Sequence, residues 1–244
     1  MLPIMANQPE LPVQLNNRGV AYLEKGNLNK AFTFFRYALR NTMTLLESNL
    51  EAPKRSMVQG TRRAWKNKGL QAFVTSKPPT RRVASPCEFM YSQGITLLEE
   101  PDAYSLDDAV NMTVTSSIVL FNLALLHHIK GLQESTSRYL VKAEAFYSRS
   151  YQLLVGTGLE LGGSGNPVID LVSMALLNNA AHVGRELCHS ERSQENFRKL
   201  MKLAVQVNTT SYGDSAISTF MEEAKNGFLL NAIVLSDQSR APAA

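Results

Sequence analysis

At 244 residues and 44% hydrophobic content, the chain is long enough to bury one sizeable core and too apolar for wholesale disorder. Its net charge of +4 hides an asymmetry: nine Lys/Arg and no Asp/Glu fall between Ala52 and Cys87, which leaves the remainder mildly acidic. A mildly acidic body with one basic segment argues against a uniformly basic nucleic-acid binder, and two distant cysteines, Cys87 and Cys188, exclude a disulfide framework and a CxxC metal pair.

Residues 1–10 read as a tail, and the opening MLPIMANQPELPV has no charged n-region followed by a long apolar run, so no secretory signal is expected. Apolar periodicity predicts helices from about Leu11 to Lys25 and from Asn29 to about Leu50. Residues 52–87 form a basic insertion carrying Arg62, Arg63, Lys66, Arg81 and Arg82, with Trp65 and Phe73 interleaved. It reads first as a solvated loop, and alternatively as an RNA contact or a nuclear-localisation patch. Within it, Arg81-Arg82-Val83-Ala84-Ser85-Pro86 has the pattern of a kinase site, with Ser85 as the acceptor. Phe89 to Leu98, rich in aromatic and β-branched residues and bounded by Glu99-Glu100-Pro101, is expected to be extended.

A third helix is expected from Ser105 to about His128. Its stretch from Ala109 to Ile129 contains no Asp, Glu, Lys or Arg, which is long enough to span a bilayer. Asn111, Asn122, two histidines and several Ser and Thr make a buried central helix the better reading. A partner helix follows from Ser137 to Leu154. The run from Gly156 to Asn166 is glycine-rich but lacks the Lys-Ser/Thr of a phosphate-binding loop, so it reads as a connection. Asn166-Pro167 signals a helix start, with Asn as cap and Pro in the first turn. That helix is expected to reach about Cys188, with another from Ser190 to Val207 and a last one over residues 213–235, followed by a tail at 237–244.

The segment from Leu15 to Leu39, LNNRGVAYLEKGNLNKAFTFFRYAL, resembles a tetratricopeptide repeat. Leu15, Gly19 and Tyr22 match the first helix of that pattern, Gly26-Asn27-Leu28 the turn, and Ala31, Phe35 and Ala38 the second helix. Met43 stands where the pattern places its terminal proline, so the second helix is expected to continue. Two degenerate copies follow. One has Leu120, Ala124 and His127, Gly131 at the turn, then Ala143, Tyr147 and Ser150. The other has Leu177, Ala181 and Gly184, then Ser193, Phe197 and Leu200. The small-to-small distance is 12 residues in the first and third copies and 19 in the second, which implies about two helical turns inserted around Gln133 to Leu140.

The resemblance implies an all-α fold: a short right-handed stack of antiparallel helical hairpins in a single domain over residues 11–236. Its irregular repeats fall at about 12–50, 106–155 and 167–208, with the basic insertion between the first two and a capping helix at the end. The pattern is similar to divergent tetratricopeptide-like families of algae and diatoms, most without an assigned activity. Asn17, Asn122 and Asn179 occupy the same place in each copy, two residues before the small packing residue, and so point about 200° away from it. In the family that side of the first helix lines a concave groove. The resemblance therefore implies a partner-binding groove in which these asparagines hold an extended peptide backbone, since an amide both donates and accepts.

The expected function is a non-catalytic scaffold that binds another protein, with RNA association through the basic insertion as the alternative. Neither a membrane nor a cofactor is expected. His127 is read as an aromatic core residue, and His128, His182 and His189 as lacking aligned acidic or cysteine partners, so no catalytic or metal site is expected. The expected compartment is the cytoplasm, with the nucleus as the alternative.

Overall fold

A computed structural model describes residues 11–51, 89–97, 109–158, 166–212 and 214–237. The two tails, the basic insertion with Arg62, Arg63, Lys66, Arg81 and Arg82, Ser85, and most of the glycine-rich run lie outside the described residues. The chain is all-helical: seven α-helices, and no strand among the described residues. They are α1 (Pro12–Glu24), α2 (Leu28–Glu51), α3 (Ala109–Gln133), α4 (Ser137–Gly156), α5 (Pro167–Glu186), α6 (Ser190–Gln206) and α7 (Ser215–Asp237), with a 3₁₀ turn at Thr209–Tyr212 before the last.

The helix starts follow from local chemistry. Pro12 opens α1, where its missing N–H is not needed. Asn166 caps α5 by accepting from the backbone N–H groups of Val168 and Ile169 at 3.0 and 3.4 Å. Asp214 does the same for α7, accepting from Ala216 and Ile217.

The first three hairpins turn by one shared motif. Asn27 N–H donates to Tyr22 C=O, Thr136 N–H to Gly131 C=O, and His189 N–H to Gly184 C=O. In each case the preceding residue takes a left-handed conformation: Gly26 at φ 72°, Ser135 at 50° and Cys188 at 59°. The turn position expected of Gly131 is therefore held by Ser135. Gly131 lies inside α3, where a Cβ would come 2.7 Å from the Leu140 side chain. The second hairpin is longer by about one helical turn on each arm, which accounts for the wider spacing from Ala124 to Ala143.

Each helix packs on its chain neighbours, and α1, α3, α5 and α7 also touch in succession. The two layers differ in composition for that reason. On α6 only one stripe is buried, Ser193, Phe197, Leu200, Leu203 and Ala204. On α5 every residue from Val168 to Gly184 is buried, and on α3 every residue from Val114 to Ile129. By length and composition α3 could cross a membrane, but its apolar faces are covered by the surrounding helices and by the segment 89–97. Close approach within hairpins depends on small residues. Gly19 faces the Phe35 ring, Ser193 Oγ donates to Ala181 C=O at 2.8 Å, and the Ser117 and Ser150 hydroxyls meet at 2.8 Å.

Candidate functional site

Residues 89–97 lie against the face shared by α1, α3, α5 and α7. From Tyr91 to Leu97 they run without helix, turn or bend. A lone extended chain buried in a helical protein has no neighbouring strand to satisfy its peptide groups, so side chains must do so. Asparagines do it here. Asn17 Oδ1 accepts from Leu97 N–H at 2.8 Å while its Nδ2 donates to Leu97 C=O at 2.6 Å. Asn122 clasps Ile95 in the same way at 2.8 and 2.8 Å, and Asn179 clasps Tyr91 at 2.9 and 2.9 Å. The three asparagines singled out by register thus share one face and grip the backbone of the chain's own segment.

Three further asparagines complete the arrangement. Asn16 Nδ2 donates to Ile95 C=O at 3.0 Å, and Asn178 and Asn231 each donate to Phe89 C=O at 3.0 Å. The result is the same device built twice. At one end Asn17 holds Leu97, while Asn16 and Asn122 converge on Ile95 C=O and bond each other at 2.9 Å. At the other end Asn179 holds Tyr91, while Asn178 and Asn231 converge on Phe89 C=O and bond each other at 3.1 Å. Each triad takes residues n and n−2, the pair that faces one side of an extended chain. The doubled Asn16-Asn17 and Asn178-Asn179 are the sequence signal for this. Phe121 replaces the first member in α3, and Asn231 carries no repeat signal.

Apolar burial anchors what the asparagines position. Ile95 is 0% exposed, Leu97 2% and Met90 5%. Each such side chain contributes about 1.5–3 kcal/mol on burial, against about 1 kcal/mol net for a hydrogen bond. Gly94 passes so close to α1 that a Cβ would sit 2.8 Å from Val20 Cγ1. The Tyr91 ring packs beside Phe228 and Phe121, with centroids 5.5 and 6.2 Å away, and its hydroxyl is buried with no hydrogen-bond partner.

A buried chain leads away from this grip. Asn179 Nδ2 also donates to Tyr147 Oη at 3.1 Å, and Tyr147 Oη lies 3.3 Å from His128 Nδ1. His128 Nε2 lies 3.1 Å from His182 Nδ1, and His182 Nε2 faces the Glu186 carboxylate at 3.9 Å. One set of protons satisfies every link: the phenol donates to His128, whose Nε2–H donates to His182, whose Nε2–H points at Glu186. Both imidazoles are neutral in this arrangement. Burial, then the neighbouring His182, holds His128 well below the usual histidine range. Burial, then the Arg185 cation, lowers His182 to about 4.

The reading that these histidines lack acidic partners is corrected. Glu186 stands one turn beyond His182, and Glu144, distant in sequence, bonds His189 Nδ1 at 3.2 Å and Arg192 at 3.0 Å. His127 is buried between Phe146 and Tyr139, as Tyr22 stacks on Phe34 in the first hairpin, and its Nδ1 has no partner. Burial, then Lys142 and Lys130, lowers it to about 4. Among the described residues no group of three His, Cys, Asp or Glu could hold a metal ion.

The chain matches no family model, and no curated protein or solved structure is significantly similar to it.

Proposed function

We propose that this chain is a tetratricopeptide-like helical solenoid, a non-catalytic scaffold whose inner face receives an extended segment of a partner protein. The observation that carries the reading is the pairing of Asn17, Asn122 and Asn179 with both the N–H and the C=O of a single residue each. A face that satisfies main-chain groups through amides accepts any extended chain whose side chains fit, because the peptide group is common to all sequences. Residues 89–97 hold the place in cis, and a partner segment takes it by exchange. An exposed free thiol at Cys188 suits a reducing compartment, the cytoplasm or the nucleus. The nucleic-acid alternative rests on the basic insertion, and no described feature adds to it.

Photo-crosslinking tests the reading. A photoreactive residue replaces exposed Ala21, one turn beyond Asn17 on α1, in the full-length protein, which is irradiated in native extract, and the adducts are mapped by mass spectrometry. Extended segments of other proteins, crosslinked with wild-type asparagines and lost when Asn17, Asn122 and Asn179 are alanine, are the expected result. Identical adducts from both proteins would sink the proposal.

A further inference from the structure

The contacts of residues 89–97 specify more than an extended backbone. This inference rests on the groove reading above and names the partner. We propose that the inner face selects a segment of the pattern aromatic-x-x-Gly-aliphatic-x-aliphatic with no charge at its inward positions, and that it prefers phenylalanine to tyrosine at the aromatic position. A partner carrying that segment displaces the chain's own.

Five observations set the pattern. The glycine position is dictated by α1, since a Cβ on residue 94 would press on Val20 at 2.8 Å. The aliphatic positions follow from Ile95 and Leu97, almost wholly enclosed, and two residues apart so that both face inward. The floor beneath is α3, whose residues from Ala109 to Ile129 include no Asp, Glu, Lys or Arg, so an inward charge on the ligand would be buried without a counter-charge. Proline is excluded wherever an asparagine takes a backbone N–H, at the places of Tyr91, Ile95 and Leu97.

The fifth observation separates partner from resident. The Tyr91 ring fits against Phe121 and Phe228, but its hydroxyl is buried and unpartnered. A buried polar group left unpaired weakens binding relative to its apolar counterpart. Phenylalanine keeps the ring and removes the orphan hydroxyl. The resident segment is thus a defective copy of the best ligand, held because tethering gives it a high effective concentration. A free segment without the defect competes against that advantage. Gln93 is exposed and Ser92 only partly buried, so these two positions accept varied side chains.

The test uses the full chain carrying specific protease sites inside 52–88 and inside 98–108, nicked after folding so that the resident segment can leave. A labelled peptide FMYSQGITL, matching residues 89–97, is titrated by fluorescence anisotropy, followed by versions with single changes. The Tyr91→Phe peptide is expected to bind about tenfold more tightly, the Gly94→Val peptide at least about tenfold more weakly, and the Gln93→Lys peptide within about twofold of the parent. Full-length Gly94→Val protein, which disfavours its own resident segment, provides a second receptor without nicking. Equal binding of all four peptides overturns the selectivity and leaves the groove intact. Failure of every peptide to bind either receptor, with helicity unchanged by circular dichroism, overturns the groove reading and this inference with it.

Discussion

His128 Nε2 lies 3.1 Å from His182 Nδ1, so two histidines on different helices share one hydrogen bond deep in the core. The pair stands between Tyr147, which faces it from α4, and Glu186 and Arg185 on α5. Folding holds both rings neutral, whereas in the unfolded chain each titrates near its ordinary value of about 6.5. The unfolded state therefore binds more protons below that pH. Stability is complete above about 6.5 and falls as pH drops toward about 4, where folded His182 also protonates. For His182 the loss is on the order of 3 kcal/mol. His127, lowered to about 4 as well, acts in the same direction. Urea unfolding midpoints between pH 7.5 and 4.5 are expected to fall, and His182→Gln to fall less steeply than wild type. Equal slopes would remove His182 from the account.

The clasp makes a second prediction, about charge and not size. Asn122 is 0% exposed and uses both amide hydrogens, on Asn16 Oδ1 and Ile95 C=O. Asn122→Ala forfeits these bonds and leaves Asn16 and Ile95 under-satisfied, at a cost of about 1–3 kcal/mol. Asn122→Asp keeps the shape but turns a donor into an acceptor facing two oxygens and buries a charge. It should be the more destabilising at pH 7, and should recover part of the difference as acid protonates the carboxyl. An Asp variant as stable as the Ala variant at pH 7 would refute the bonding scheme.

Three substitutions separate close packing from backbone strain. Gly19→Ala drives a methyl group into the Phe35 ring and should cost about 1–3 kcal/mol. Gly227, inside α7, has nothing within 4 Å of an added Cβ, so Gly227→Ala should stabilise by about 0.5–1 kcal/mol. Cys188→Gly should also stabilise, because a non-glycine residue at φ 59° is strained. Thermal melts of the three variants read all three signs, and a stabilised Gly19→Ala protein would contradict the packing of the first hairpin.

Amide exchange gives the most direct view of the resident segment. The N–H groups of Tyr91, Ile95 and Leu97 donate to asparagine side chains and should be protected, whereas that of exposed Gln93 should exchange readily. Adding the Tyr91→Phe peptide in excess should erase the protection at all three sites. Protection at Gln93 equal to that at Ile95 would mean the segment is enclosed by something other than the clasp.

Much of the helical frame was legible because its causes are local. Asn166-Pro167 marks the start of α5 through a cap and a fixed φ, and the apolar stripe of α6 repeats at helical spacing. The alignment of Asn17, Asn122 and Asn179 was legible because repeats keep register. Gly131 misled because a glycine near a helix end reads as the turn residue, while tertiary packing had used it to admit Leu140 and left the turn to Ser135.

The sequence by itself determined where α4, α5 and α6 start, that α3 is better covered than lipid-facing, and that three asparagines point the same way; the start expected at Ser105 lies outside the described residues. Those properties depend on residues within a few turns of one another, where rotation per residue is fixed. Only the tertiary structure decided what the asparagines hold. Asn17 and Leu97 stand 80 positions apart, and Asn16 and Asn122 106. Repeat register aligns positions at such separations but does not say which side chains touch. Their meeting follows from the stacking of four helices around one extended segment whose peptide groups had no other partner.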